Sequence, residues 1–305
     1  MEYKKIGKSD LKVSSIGFGA AFRSGITEES PQVIRRALDL GVNLIDVAEV
    51  YHQGRSEEVV GESIHDRRDD VVIKTKVAVD HLNYDAVLKA AEGSLKRLGV
   101  DIIDLYLVHH PNPSVPIEET MKAMEKLIEE GKVRYIGVSN FDVSLIKKAQ
   151  ESLSRHEIVA NEVKYNIVER EIEQDLLPYC QKENISIIAY SPLARGLLTG
   201  KYSRESIPER HWRRRDPLFQ EPNFSRALKV VDALRRIAEI HNKTPGQVAL
   251  NWLASKPEVI PIFGASSVEQ VEENCGAVGW RMTDEDLRMI EIAYKNYLNR
   301  ESALP

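Results

Sequence analysis

The chain has 305 residues, of which 42% are hydrophobic and 29% charged, with a formal net charge of −5. That composition can bury a sizeable core, and no apolar run approaches the roughly 18 residues a membrane-spanning helix requires, so a soluble globular protein is expected. The negative balance leaves no electrostatic footprint for nucleic acid; the one basic cluster, Arg213, Arg214 and Arg215 with Arg210 and His211 before it, is too short to supply one and suits a small phosphate.

The first residues carry charge with no following apolar region of signal-peptide length, which predicts a cytoplasmic protein. Cys180 and Cys275 fit that compartment as two inert core thiols. Residues 3–6 and 11–13 flank Gly7-Lys8-Ser9-Asp10 and read as a small β-hairpin, set apart from the rest of the chain. From Ser15 onward a unit recurs: a short apolar strand, a polar turn, an amphipathic helix, a Gly or polar break, and the next strand. Eight strands are predicted at 16–20, 43–47, 71–77, 102–109, 133–138, 158–163, 185–191 and 259–263. The first seven start roughly 25 to 31 residues apart, the length of one strand, one helix and two connections.

The helices between them are legible. Residues 84–98 put Val87, Leu88, Ala91, Leu95 and Leu98 on one face, and 117–128 do the same with Ile117, Met121, Met124 and Leu127. Gly41, Gly99 and Gly131 each fall just past a helix, where a left-handed cap favours a residue without Cβ. Between strands seven and eight come a long loop, 195–224, and helical patterns at 227–240 and 247–253; a tail helix at 284–297 follows the eighth unit. An open doubly wound sheet would announce a phosphate loop after its first strand, but Gly17-Phe18-Gly19-Ala20 lacks the third glycine and the helix behind it. The expectation is a single-domain (β/α)8 TIM barrel over 1–305, with an N-terminal hairpin, a long loop after strand seven, a C-terminal tail helix and a site at the C-terminal ends of the strands.

Ionisable residues gather at those ends. The apolar run Leu44-Ile45-Asp46 closes on an acid, with Tyr51 five residues on; strand three ends in Lys76, and strand four in His109. A lone Asp at a strand end is most simply a cap or a buried ion pair, and a lone Lys or His is most simply solvated or satisfied. Four such types at one rim are harder to dismiss. Period-two alternation turns Val72, Lys74 and Lys76 inward and Ile73 and Thr75 toward the helices. His109 and His110 are neighbours on a strand, expected on opposite faces, so no metal site is expected. A phenol with a reference pKa near 10 is a poor acid at pH 7, but a Lys held charged by Asp46 should lower it, and His109 could share its hydrogen bond. A proton donor with no nucleophile implies a cofactor that brings hydride.

These residues resemble the catalytic tetrad of the aldo-keto reductase superfamily: Asp46, Tyr51 in Ala-Glu-Val-Tyr, Lys76 in Lys-Thr-Lys, and His109 in Asp-Leu-Tyr-Leu-Val-His. The likeness continues through Val-Arg-Tyr-Ile-Gly-Val-Ser-Asn-Phe at 133–141, Ala-Tyr-Ser-Pro-Leu at 189–193, Gly-Leu-Leu-Thr-Gly-Lys-Tyr at 196–202, and Gly-Ala-Ser-Ser-Val-Glu-Gln at 264–270 to Glu273 and Asn274. The resemblance implies reduction of an aldehyde or ketone with NADPH, NAD also being possible, and Tyr51 as proton donor. It implies Ser139, Asn140 and Glu162 at the nicotinamide carboxamide, with Tyr190 stacked on the ring. The loop with Ser191, Leu193, Gly196 and Leu197 would pass over the pyrophosphate, and Gly264, Ser266, Ser267, Gln270, Glu273 and Asn274 would meet the adenosine phosphate at a helix N-terminus, where Ser267 and Gln270 also read as a capping box. The partner implied is a small carbonyl compound, with no nucleic acid and no membrane.

The chain departs from the family's habit in places. Glu162 stands where a Gln is common, and an ionised Glu accepts but cannot donate. Lys74 replaces a small residue one layer deeper, with Glu162 as its expected partner. His110 stands at a usual Trp and His52 at a usual Gly, and both are expected to make the pocket mouth more polar. The 264–270 turn lacks the Lys or Arg many members use, which leaves Arg213, Arg214 and Arg215 to reach a 2′-phosphate. Two rival readings use the same barrel: a Schiff-base aldolase on Lys76 or Lys74, and a nucleotide-binding regulatory subunit with little turnover, like the potassium-channel β subunits of the superfamily.

Overall fold

Short apolar strands with turn residues between them and helices need a partner for every face, and here the strands find it by closing on themselves. The computed structural model describes residues 1–203, 205–206 and 212–298; Arg210 and His211 of the basic cluster lie outside the described residues. A hairpin of β1 (Tyr3–Lys5) and β2 (Lys12–Ser14) precedes eight strands: β3 (Gly17–Gly19), β4 (Leu44–Asp46), β5 (Val72–Val77), β6 (Ile103–Val108), β7 (Val133–Ser139), β8 (Ile158–Lys164), β9 (Ser186–Tyr190) and β10 (Val259–Phe263). They pair in parallel, in the order β10-β3-β4-β5-β6-β7-β8-β9, as a closed barrel. Every boundary lies within one residue of the expected one.

Helices α1 (Ser30–Asp39), α2 (Arg55–Ile64), α3 (Tyr84–Leu98), α4 (Ile117–Glu129), α5 (Val143–Glu151) and α6 (Leu176–Glu183) alternate with β3 to β9. Between β9 and β10 stand α7 (Asn223–His241) and α8 (Pro245–Ala254), and after β10 come α9 (Val268–Cys275) and α10 (Asp284–Leu298). The tail helix α10 packs on α7. Caps follow the residue chemistry: Asn83 accepts from Ala86 N at the start of α3, and Gly99 ends it at φ 65°.

Two apolar layers hold the barrel. The outer one lies between strands and helices; the inner one, with Leu44, Val72, Leu105, Leu107, Ile188 and Ile260, fills the barrel itself. Strand β5 alternates as its pattern requires: Val72 joins the inner layer, Ile73 the outer, and Thr75 Oγ1 donates outward to Glu57 of α2 at 2.6 Å. The hairpin is not set apart from this arrangement. Ile6, Leu11 and Val13 belong to the inner cluster, so the hairpin plugs the N-terminal floor. Gly7, at φ 47°, makes the close approach: a Cβ there would lie 2.3 Å from the Val159 carbonyl oxygen. Apolar floor below and strand ends above leave the C-terminal mouth for polar residues.

Candidate active site

The deep end of the mouth is a buried cluster of four charges. Asp46 ends β4 and stands in register with Lys74 of β5, while Lys76 lies one pleat nearer the mouth. Glu162 comes from β8 across the barrel, where it pairs in register with Ser139 of β7. Lys74 Nζ lies 2.6 Å from Asp46 Oδ1 and bonds Glu162 Oε2; Lys76 Nζ lies 2.5 Å from the same Asp46 oxygen and 3.6 Å from Glu162. None of the four is more than 3% exposed, so the expected partnership of Lys74 with Glu162 is present and extends to the Asp46–Lys76 pair. Burial alone would raise the Asp46 carboxyl, but Lys74 and Lys76 outweigh it and hold it below its ordinary range. Burial likewise works to lower Lys76, and Asp46 and Glu162 outweigh it and raise the ammonium. A Schiff-base role needs a neutral amine, and both lysines are tied into ion pairs instead.

Tyr51 opens a tight turn after β4, its N–H donating to Ala48 O at 3.0 Å, with His52 and Gln53 at φ 49° and 55°. That turn carries the phenol back over Lys76: Nζ donates to the Tyr51 hydroxyl at 3.5 Å and lies 5.0 Å from the ring centroid. His109 meets the same ring edge-on, centroids 5.7 Å apart. The expected lowering of the phenol is not found. Burial, with the Asp46 and Glu162 carboxylates behind it, pushes Tyr51 well above its ordinary value, so the phenol keeps its proton. His109 is driven the other way, to about 3, by burial first and then by Lys76 and His110, so its imidazole is neutral. His110 corrects the strand reading: β6 ends at Val108, and beyond it the two imidazoles stack at 5.0 Å and 15°. Among the described residues no group of three or more His, Cys, Asp or Glu is placed to hold a metal ion.

A cavity of about 850 Å³ opens over Tyr51, His109 and His110 and runs past Ser139, Asn140, Glu162 and Tyr190. Asn140, at φ 62°, turns the chain at the end of β7; its Nδ2 donates to Ser139 Oγ at 2.9 Å and His109 O at 3.2 Å, and its Oδ1 accepts from the Tyr190 hydroxyl at 3.0 Å. The cleft then follows the loop after β9, where Ser191, Leu193 and Gly196 line it. Ser191, Ala194 and Arg195 all have positive φ, and Arg195 clamps this strained loop with two 3.0 Å bonds to Glu169 and one ion pair to Asp216 at 2.5 Å. Leu197 differs from expectation: it is fully buried and faces the outer core, because an apolar side chain in a loop packs inward. At the far end Gly264, Ser266, Gln270, Glu273 and Asn274 line the cleft. Ser267 does not. Its hydroxyl accepts from Gln270 N at the start of α9, and the Gln270 side chain answers Ser266 N at 2.9 Å rather than Ser267 N, so the capping box is half formed.

His52 leaves the mouth altogether, with Nε2 3.0 Å from the Phe22 carbonyl. Of the basic cluster, Arg213 reaches the cleft wall; its Nε donates to Arg195 O at 3.0 Å and its guanidinium lies over Tyr202. Sequence reasoning missed Arg23, Ser24, Lys201 and Trp212, which also line the cleft. They sit on irregular connections with no periodicity; Arg23 and Ser24 are marked only by following β3, Lys201 only by standing in the 196–202 stretch, and Trp212 by nothing in the sequence.

An elongated cleft of this volume fits a dinucleotide as well as a small substrate. Residues 15–295 match the model of the aldo/keto reductase family. The chain is 38% identical to the aldo-keto reductase YhdN of Bacillus subtilis, over 98% of this chain and 95% of that one. Its fold is similar to the glycerol dehydrogenase AKR11B4 of Gluconobacter oxydans (TM-score 0.89, 31% identity, 97% and 96% of the two chains covered). It is also similar to an aldo-keto reductase of Klebsiella pneumoniae solved in complex with NADPH (TM-score 0.81, 33% identity, 96% of each chain covered).

Proposed function

Since the chain belongs to the aldo/keto reductase family, we propose that it reduces an aldehyde or ketone to the alcohol with NADPH, Tyr51 giving the proton to the carbonyl oxygen. One observation carries this reading: the Tyr51 hydroxyl, the neutral His109 imidazole and the Asp46-anchored Lys76 ammonium converge at one end of a cleft. NADPH supplies hydride when bound. Ser139, Asn140 and Glu162 would hold its carboxamide, Tyr190 its ring face, Ser191 to Gly196 its pyrophosphate, and the 264–274 turn its adenosine phosphate. Burial keeps the phenol protonated until a carbonyl oxygen takes its proton; Lys76, 3.5 Å away, then stabilises the negative charge left on Tyr51. His109, being neutral, can hydrogen-bond the same carbonyl oxygen without adding charge.

NADPH is proposed over NADH because Arg213 stands on the wall of the same cleft that the 264–270 turn lines, and its guanidinium could reach a 2′-phosphate there. The protein acts as a single barrel domain in the cytoplasm on a small carbonyl compound; among the described residues no helix is long and apolar enough to cross a membrane. The test is NADPH and NADH oxidation against a panel of aldehydes and ketones. Turnover of at least one carbonyl with NADPH preferred is expected. Tight NADPH binding with no oxidation across the panel would replace this reading with the regulatory one.

A further inference from the structure

The four charges beneath the cleft form one network rather than two pairs. Lys74 spans the barrel from β5 to reach both Asp46 at 2.6 Å and Glu162, and Lys76 bonds the same Asp46 oxygen. Two ammonium groups and two carboxylates cancel. Holding a second cation and a second anion in the barrel is a poor way to gain stability, since an apolar pair of like volume fills such a site as well or better. The pair is also asymmetric with respect to the cleft. Glu162 lines it, and its Oε1 has no hydrogen-bond partner among the described residues, whereas Lys74 is fully buried behind. A negative edge therefore faces the deep end of the cleft, with its counter-charge placed directly beneath.

We infer that Lys74 and Glu162 form a charge-balancing pair that sets the electrostatic potential at the deep end of the cleft, and with it the relative affinity for oxidised and reduced nicotinamide. The inference rests on the nicotinamide-binding reading above. An oxidised nicotinamide ring carries one more positive charge than a reduced one, so any net charge at the cleft floor separates the two affinities. Glu162 acts from the cleft lining, beside the carboxamide of the ring; Lys74 is a positioning residue that acts through Glu162 and Asp46.

The experiment is a fluorescence titration of the full chain with NADPH and a competition titration with NADP⁺, at fixed pH and ionic strength, for wild type, Glu162→Gln, Lys74→Met and the double variant. Glu162→Gln leaves the floor with a net positive charge, and the ratio Kd(NADP⁺)/Kd(NADPH) should rise about three- to tenfold. Lys74→Met leaves it negative, and the ratio should fall by a similar factor; the double variant should return to within about twofold of wild type. A purely structural role would weaken both cofactors together and leave the ratio unmoved, and that result, or single variants shifting the ratio in the same direction, overturns the inference. If Lys74→Met does not fold, Glu162→Gln and the charge-neutral double variant decide: a raised ratio that the second mutation does not restore is equally fatal. Wild type binding neither cofactor would instead mean that the nicotinamide reading itself has failed.

Discussion

A phenol held protonated by its surroundings and an imidazole held neutral beside it are single-residue devices, and each has its own signature. Tyr51 lines the cleft but is one of many residues that do, so Tyr51→Phe should leave NADPH affinity within about twofold while removing the proposed donor, which typically costs about 10² to 10⁴ in rate. Steady-state reduction of a good aldehyde, run beside a cofactor titration, checks this; more than about a tenth of wild-type turnover, with chemistry rate-limiting, would reassign the acid. His109 makes a pH prediction. Its folded pKa of about 3 lies below an ordinary 6.5, so the unfolded chain binds the extra proton and stability is lost as pH falls from 6.5 toward 3. At pH 5 the loss is about 2 kcal/mol. His109→Gln should therefore lose about 2 kcal/mol less than wild type between pH 8 and pH 5 in urea unfolding, and an equal loss in both would mean that the imidazole is not held neutral.

Elements differ in how plainly the sequence announces them. The strands of the barrel were legible to within one residue because burial on both faces leaves an unbroken apolar run bounded by turn residues, and the inward alternation of β5 placed Lys74 and Lys76 correctly. The connections were not. Leu197 and Ser267 stand in motif-like stretches, yet one packs into the outer core and the other caps α9, because in irregular backbone the direction of a side chain follows φ and ψ that no periodicity encodes. The 191–196 loop is the case in point: its positive-φ residues are tied down chiefly by the Arg195 guanidinium, whose partners, Glu169 and Asp216, lie 26 and 21 residues away in sequence, with Asn166 and Arg213 bonding the loop's carbonyls. Arg195→Ala leaves those two largely buried carboxylates without their shared cation, and the loop should loosen. Since the loop lines the proposed pyrophosphate stretch, NADPH affinity should fall about tenfold or more, while turnover at saturating cofactor changes less. Unchanged cofactor affinity in a titration would remove the loop from the binding surface.

Across the whole molecule, an apolar floor and a polar cleft stand at opposite ends of one barrel. The charged cluster and the cleft occupy the C-terminal ends of the strands, and the floor is closed by the N-terminal hairpin through Ile6, Leu11 and Val13. The hairpin was visible as a turn between two short apolar runs, but its role was not, since nothing in so short a local sequence says that a barrel several strands away needs a plug. The inner layer supplies the reason: Leu44 and Val72, which begin β4 and β5, share one apolar cluster with Ile6, Leu11 and Val13 and would lose that cover without the hairpin. Leu11 is 2% exposed within that layer, so Leu11→Ala removes buried apolar volume and should cost about 2 to 4 kcal/mol. The mouth lies at the far end of the strands, and effects at distant sites with no shared partners combine independently. At a temperature where the variant is fully folded, its NADPH affinity and kcat should therefore match wild type, while its urea midpoint falls. Thermal or urea unfolding beside the carbonyl-reduction assay measures both, and a loss of kcat in parallel with the loss of stability would mean that floor and mouth are coupled through the barrel wall.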